Sequence, residues 1–195
     1  MNHLAHLFLS QRDTNLMVGN FIADHIKANK IEPYSEEIRN GIMMHRAIDH
    51  FTDTHPLVKK SKSRLFPKYR HYAAVLVDMF YDHILAKNWE TYSPISLESF
   101  SKSAYFVLKS RTSEMPHRSV MILDYMSKQD WLTSYGRIEG MTKALTGSAH
   151  RAKFNSKMEE AAIDLERDFK LYEAEFTPFF KELFEFAMDW EAPAK

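Results

Sequence analysis

VLVDMFYDH, residues 75–83, is the stretch on which the fold turns. Val75, Asp78, Met79, Asp82 and His83 follow steps of three and one, which is one continuous stripe of an α-helix. The acids therefore share a stripe with apolar Val75 and Met79, whereas a solvated charged face would separate them. Burying a charged group costs several kcal/mol, roughly, unless it is paired or bound to a metal. Asp82 and His83 are adjacent, so their side chains diverge by about 100° around the helix.

Three other segments repeat the theme: NHLAH at 2–6, GNFIADH at 19–25 and MMHRAIDH at 43–50. His45 and Asp49 lie four apart on one helical face. Asp24 follows Phe21 and Ile22 at a core edge. Two acids on one buried stripe, Asp78 and Asp82, repel unless a cation sits between them. Imidazole plus carboxylate with no sulfur suits Mn²⁺, Fe²⁺, Mg²⁺ or Zn²⁺. Such an ion lowers the pKa of a bound water and neutralises phosphoryl oxygens. Arg46 could hold a phosphate oxygen as a bidentate donor. Bland readings remain for single members: His3 and His6 also fit satisfied core histidines, His45–Asp49 fits a structural helix pair, and His25 and His50 point to other faces.

Composition agrees with helices. The chain has 195 residues, 45% hydrophobic, with only 5 Gly and 7 Pro, too few turn residues for an all-β fold. No Cys is present, which excludes disulfides and thiolate sites. No apolar run approaches the roughly 18–20 residues of a membrane span. The first ten residues lack the basic flank and cleavage pattern of a signal peptide, so a soluble cytoplasmic protein is expected. Helices are expected over 13–29, 35–52, 56–65, up to about Trp89 after a break at Pro67, 96–110, 118–127, 129–146 and 150–190, the last with a kink or break at Pro178. The expected architecture is all-α, one helical bundle over 1–190 with a frayed tail at 191–195. The aromatic stripe Phe169, Tyr172, Phe176, Phe179, Phe180, Leu183 and Phe184 is expected in the core.

Net charge is zero but unevenly distributed. No acid occurs between Asp53 and Asp78, where Lys59, Lys60, Lys62, Arg64, Lys68 and Arg70 fall. Acids are absent again between Glu139 and Glu159, while the segment Glu159–Glu191 carries eleven. This is not the overall basic balance of a duplex-binding protein, so no nucleic-acid partner is expected. A local basic patch meeting an acidic partner fits better.

The order and spacing of Asn2, Ala5–His6–Leu7, Gly19–Asn20, Asp24, Gly41, His45–Arg46, Asp49, Thr52–Asp53, Asp78, Asp82–His83, Tyr125 and Trp131–Leu132 resemble the bacterial acyl-carrier-protein phosphodiesterase family, a divergent HD-type branch of metal-dependent phosphohydrolases. The similarity runs over nearly the whole chain. It implies an all-helical, HD-domain-like fold and removal of 4′-phosphopantetheine from holo acyl carrier protein, with a divalent cation, preferably Mn²⁺, and a place in fatty acid biosynthesis. The order departs from ordinary HD enzymes, because the Asp82–His83 pair is reversed and Asp24 precedes His45.

With the resemblance, Asp24, His45, Asp49 and Asp78 are the expected metal ligands. His6, Asp82 and His83 are further ligands or groups that orient them. His83 is the expected acid for the departing serine oxygen, and Arg46 the expected stabiliser of phosphoryl charge. Lys59, Lys60, Lys62 and Arg64 are the expected docking patch for the carrier protein. Two competing readings are an HD-type hydrolase of a small phosphorylated metabolite or nucleotide, and a non-enzymatic helical protein that binds metal or a partner. A ferritin-like di-iron bundle would need Glu-x-x-His motifs, and the one such spacing, Glu114 to His117, is interrupted by Pro116.

Overall fold

The computed structural model describes residues 1–10, 13–27 and 30–192, and among these there is no strand. Eleven α-helices follow in order: α1 (His3–Leu9), α2 (Thr14–Ile22), α3 (Glu36–Thr54), α4 (Pro56–Tyr69), α5 (Tyr72–Lys87), α6 (Leu97–Ser110), α7 (His117–Lys128), α8 (Trp131–Ser134), α9 (Ile138–Arg151), α10 (Ala161–Arg167) and α11 (Phe169–Asp189). The all-α expectation holds. Residues 193–195 of the expected frayed tail lie outside the described residues, as do residues 28 and 29 of the expected 13–29 helix.

Local chemistry sets the helix starts. The Asp13 carboxylate accepts from the N–H groups of Asn15 (2.6 Å) and Leu16 (3.1 Å). Ser35 Oγ accepts from Ile38 N–H at 3.4 Å, and Glu36 and Glu37 occupy the first turn of α3, where the helix dipole favours acids. Pro56 opens α4, where its missing N–H costs nothing.

Helix α1 is short yet central, because Leu4, Ala5, Leu7, Phe8 and Leu9 are all fully buried. It packs against α2, α5 and α11. Phe8 meets the rings of Trp89, Phe100, Phe180 and Phe184 with centroids 4.9 to 6.2 Å away. The expected aromatic stripe of α11 is core: Tyr172, Phe176, Phe179, Phe180 and Leu183 are fully buried. Each such side chain contributes about 1.5–3 kcal/mol of hydrophobic stabilisation.

Four expected boundaries move. Pro67 does not break α4, which runs on to Tyr69 and ends at Arg70, whose φ of 52° turns the chain. Pro178 sits inside α11 without ending it. Its ring removes the bond to the carbonyl of exposed Ala174, while buried Phe176, Phe179 and Phe180 pin the helix on the other side. The expected 129–146 helix divides into α8 and α9. The expected 150–190 helix divides into the end of α9, α10 and α11, with Lys157 at φ 55° in the intervening turn.

Two glycines control how closely α2 and α3 approach. A Cβ on Gly19 would lie 2.1 Å from the Ile38 carbonyl oxygen, and one on Gly41 would lie 2.5 Å from that of Leu16. The two backbones touch there, so any side chain would force them apart.

Candidate active site

The close approach of α2 and α3 carries Asn20 to His45. Asn20 Oδ1 accepts from His45 Nδ1–H at 2.9 Å, and Asn20 Nδ2 donates to Ser10 Oγ (2.6 Å) and the His6 carbonyl (3.1 Å). This fixes the His45 tautomer and leaves Nε2 free to face the carboxylates. His45 Nε2 lies 3.1 Å from Asp49 Oδ2 and 3.3 Å from Asp24 Oδ1. His6 stacks on His45 with ring centroids 4.0 Å apart, and His6 Nε2 lies 3.1 Å from Asp49 Oδ1. The other His6 nitrogen, Nδ1, is buried without a partner among the described residues.

Electrostatics follow from this geometry. Burial works against charge on His45, but Asp24 and Asp49 outweigh it and raise its pKa to about 9. Asp24 is held down to about 2 by its bond to His45. Burial disfavours the Asp49 anion, yet the bonds from His45 and His6 hold its carboxyl below the usual range. His6 is pushed down to about 4 by burial and by neighbouring His45, so it is neutral at ordinary pH.

Asp78 and Asp82 reach this cluster from α5 in different ways. The Met1 amino group donates to Asp78 Oδ1 at 3.1 Å and lies 3.8 Å from Asp49 Oδ1, so it bridges the two acids. Asp82 is fully buried and accepts from the backbone N–H groups of Leu4 (2.7 Å) and Ala5 (3.3 Å). It therefore caps α1 and holds the helix that carries His3 and His6. Burial, partly offset by those two donors, raises the Asp82 carboxyl to about 7.

The sequence-expected residues divide. His6, His45 and Asp49 place one ligand atom each within 4.8 Å of one another, and Asp24 adjoins them through His45. Asp78 stands on the far side of the Met1 amine. His83 does not join: Nδ1 bonds the Tyr135 carbonyl at 2.6 Å and the ring packs edge-on against Phe169, because it points about 100° away from Asp82. Arg46 is half-buried, its Nη2 is enclosed without a partner among the described residues, and it does not line the cleft described below. Three members of the expected docking patch are tied down inside the molecule. Arg64 forks onto buried Glu175 (2.6 and 2.9 Å), Lys60 approaches the same carboxylate at 3.4 Å, and Lys62 bonds Asp53 at 2.6 Å. Exposed Lys59 makes no such pair among the described residues. His25 bonds Ser119 Oγ at 2.9 Å, in keeping with its bland reading.

A cleft of about 1410 Å³ opens beside the cluster. His3, Asp24, His45, Asp49 and Asp78 line it together with residues of α7, α8 and α9. Neighbouring donors around a small octahedral dication sit roughly 3 Å apart. The 3.1 and 3.3 Å separations around His45 match that spacing, and the mixed nitrogen and oxygen donors suit a borderline-hard ion. Fold and site together define a helical protein with a His/Asp group that could hold a metal ion beside a large cleft.

Comparison with known proteins narrows this class. The sequence profile of the family described as acyl carrier protein phosphodiesterase matches residues 1–183, so the chain belongs to that family. A relative so named from Yersinia enterocolitica is 32% identical over 190 residues, covering 97% of this chain and 98% of its own. One from Photorhabdus laumondii is 31% identical over 186 residues, covering 95% and 94%. One from Enterobacter is 30% identical over 181 residues, covering 92% and 94%. No solved structure matches the chain.

Proposed function

We propose that this chain is a metal-dependent phosphodiesterase that removes 4′-phosphopantetheine from holo acyl carrier protein. The observation that carries the reading is the convergence of His6, His45 and Asp49, joined by Asp24, beside the cleft. The family to which the chain belongs, and the names of its relatives, supply the substrate.

His45, Asp49, Asp24 and His6 would hold the ion, with Asp78 reaching it from the flank. Bound there, a divalent cation supplies positive charge against the phosphoryl oxygens and acidifies water. Mn²⁺ is the expected metal, and Mg²⁺, Fe²⁺ and Zn²⁺ suit the same donors. Asn20, by accepting from Nδ1–H, would leave His45 Nε2 as the ligand atom for the ion, and Asp82 anchors α1 so that His6 stays over His45. The HD-type ancestry that the sequence resemblance implies is part of this proposal. No helix among the described residues is long and apolar enough to cross a membrane, which suits a cytoplasmic site of action on a carrier protein.

Mass spectrometry of holo acyl carrier protein incubated with this protein tests the reading. Loss of the phosphopantetheine mass with Mn²⁺ and its retention with EDTA is the expected result. An unchanged carrier mass with all four metals refutes it.

A further inference from the structure

The cleft wall formed by α7, α8 and α9 combines two features. It is basic on balance: Arg118 on α7, Arg137 at the start of α9, and Lys143 and Arg151 on α9 line it against one acid, Glu139, and all four cations are exposed and make no ion pair among the described residues. It is also apolar: Met121 and Tyr125 on α7 are 48% and 55% exposed, and Val75 on α5 faces the same cleft at 43%. Between the cations, α9 presents Ala144, Gly147 and Ser148, so little side chain stands in the way of a neighbour. Alanine at 147 would find the cleft side open, its nearest contact being the flexible end of Arg151 at 3.4 Å.

From this placement, and resting on the activity proposed above, we infer that the α7–α9 wall is the docking surface for the carrier protein and takes an acidic, amphipathic helical face of it. Three arguments fix the occupant. Arg137 and Arg151 are fourteen residues apart, about 21 Å along the helix axis, so no single phosphate group can engage both. A helical protein surface can. The exposed apolar strip beside the cations needs an apolar partner as well as an anionic one, which is the make-up of an interface core with a charged rim. The part of the cleft at the His/Asp cluster offers no free side-chain cation, since Asp24, Asp49, Asp53 and Asp78 line it, so an acidic partner finds its counter-charge on the basic wall. Its phosphodiester arm then spans the cleft to the cluster. The α4 cations cannot offer an equivalent surface, because Lys60, Lys62 and Arg64 already face Glu175 and Asp53.

The test is binding of fluorescent holo acyl carrier protein in EDTA, which stops turnover, at 50 and 200 mM NaCl. Wild type is compared with Arg137→Glu/Lys143→Glu, with Lys143→Ala as a milder variant, and with Lys59→Glu on α4. Circular dichroism checks each fold; these side chains are exposed and unpaired, so folding is retained. The double reversal raises Kd about tenfold or more and flattens its salt dependence, while Lys143→Ala raises Kd a few-fold. A wild type that cleaves the carrier with Mn²⁺ while the reversed protein binds it within twofold overturns the docking assignment and leaves the activity standing. An equal loss in Lys59→Glu also overturns it, in favour of α4. A wild type that neither binds nor cleaves removes the activity reading and this inference with it.

Discussion

Replacing Gly19 with Ala separates the two helices that build the site. The new Cβ would lie 2.1 Å from the Ile38 carbonyl oxygen and 2.8 Å from Gly41 Cα. Carbon and oxygen ordinarily stand no closer than about 3.3 Å, so the shortfall is about 1.2 Å, and both obstructing atoms are backbone. Helix α2 cannot slide away freely, because Met17, Val18, Phe21 and Ile22 are buried on it. Overpacking of this kind costs about 1–3 kcal/mol where side chains can yield, and the upper end or more applies here. At roughly 2–4 °C per kcal/mol for a protein of this size, Tm falls by about 6–12 °C. The same displacement stretches the 2.9 Å bond from His45 to Asn20, the residue next to the substitution, beyond hydrogen-bond length. Metal-dependent turnover then drops by about tenfold to a hundredfold. Gly147→Ala is the internal control for the unfolding measurement. Its Cβ meets nothing closer than 3.4 Å, so removing backbone freedom from a helix should stabilise by about 0.5–1 kcal/mol. The assay is thermal unfolding by circular dichroism together with carrier-protein hydrolysis. A Gly19→Ala protein melting within 2 °C of wild type, with full activity, would refute the contact argument.

Other perturbations separate ligand from support. Asp49→Asn removes the carboxylate shared by His6 and His45; bound Mn²⁺, measured by elemental analysis, should fall below stoichiometric and turnover should be lost. Asn20→Ala frees the His45 ring; metal affinity should fall by about tenfold or more, read by titration calorimetry, and unchanged affinity would show that the ring is held without it. Asp82→Ala leaves the buried N–H groups of Leu4 and Ala5 without an acceptor at a cost of about 1–3 kcal/mol each, so the protein should melt well below wild type at pH 8. In EDTA, the raised pKa of His45, about 9, makes a stability contribution that is fully present below its unfolded value near 6.5 and is lost as pH rises through 9. His45→Gln should therefore flatten the fall in Tm between pH 7 and 9.5, and a slope identical to wild type would exclude His45 as its source.

The helices themselves were readable because caps and periodicity are local. Asp13, Ser35, Pro56 and Ser96 each mark a helix start that the structure keeps. Proline misleads where tertiary packing outweighs a lost hydrogen bond, as at Pro178, and where it falls in a last turn, as at Pro67. The separation of α8 from α9 falls at Gly136, a residue type common just past a helix end, but the apolar periodicity runs on across it. Gly140 gives its reason after the fact: a Cβ there would lie 2.1 Å from the Ser134 carbonyl, so the start of α9 folds back onto α8.

The site was half readable for the same reason. A four-residue spacing puts His45 and Asp49 on one face, and the structure brings them together; it also puts Asp82 on the core stripe, where it caps a helix. Spacing names a face and is silent about what lies across from it. Asn20 and the Met1 amine reach the cluster from other elements, and no periodicity connects them to it. The charge pattern makes the point most sharply. The chain holds two acid-free basic runs, at 54–77 and 140–158, and one acidic run, Glu159–Glu191. Read along the sequence, the first run is the stronger candidate for a docking patch. In the fold the acidic run lies against that first run: Glu175 takes Arg64 and Lys60, Asp164 takes Lys68 and the Tyr69 hydroxyl, and Glu160 takes Lys68 as well. The acids that balance the net charge are thus consumed internally on α4. Lys143 and Arg151 from the second run, together with Arg118 and Arg137, are left facing the cleft without a counter-charge of their own among the described residues.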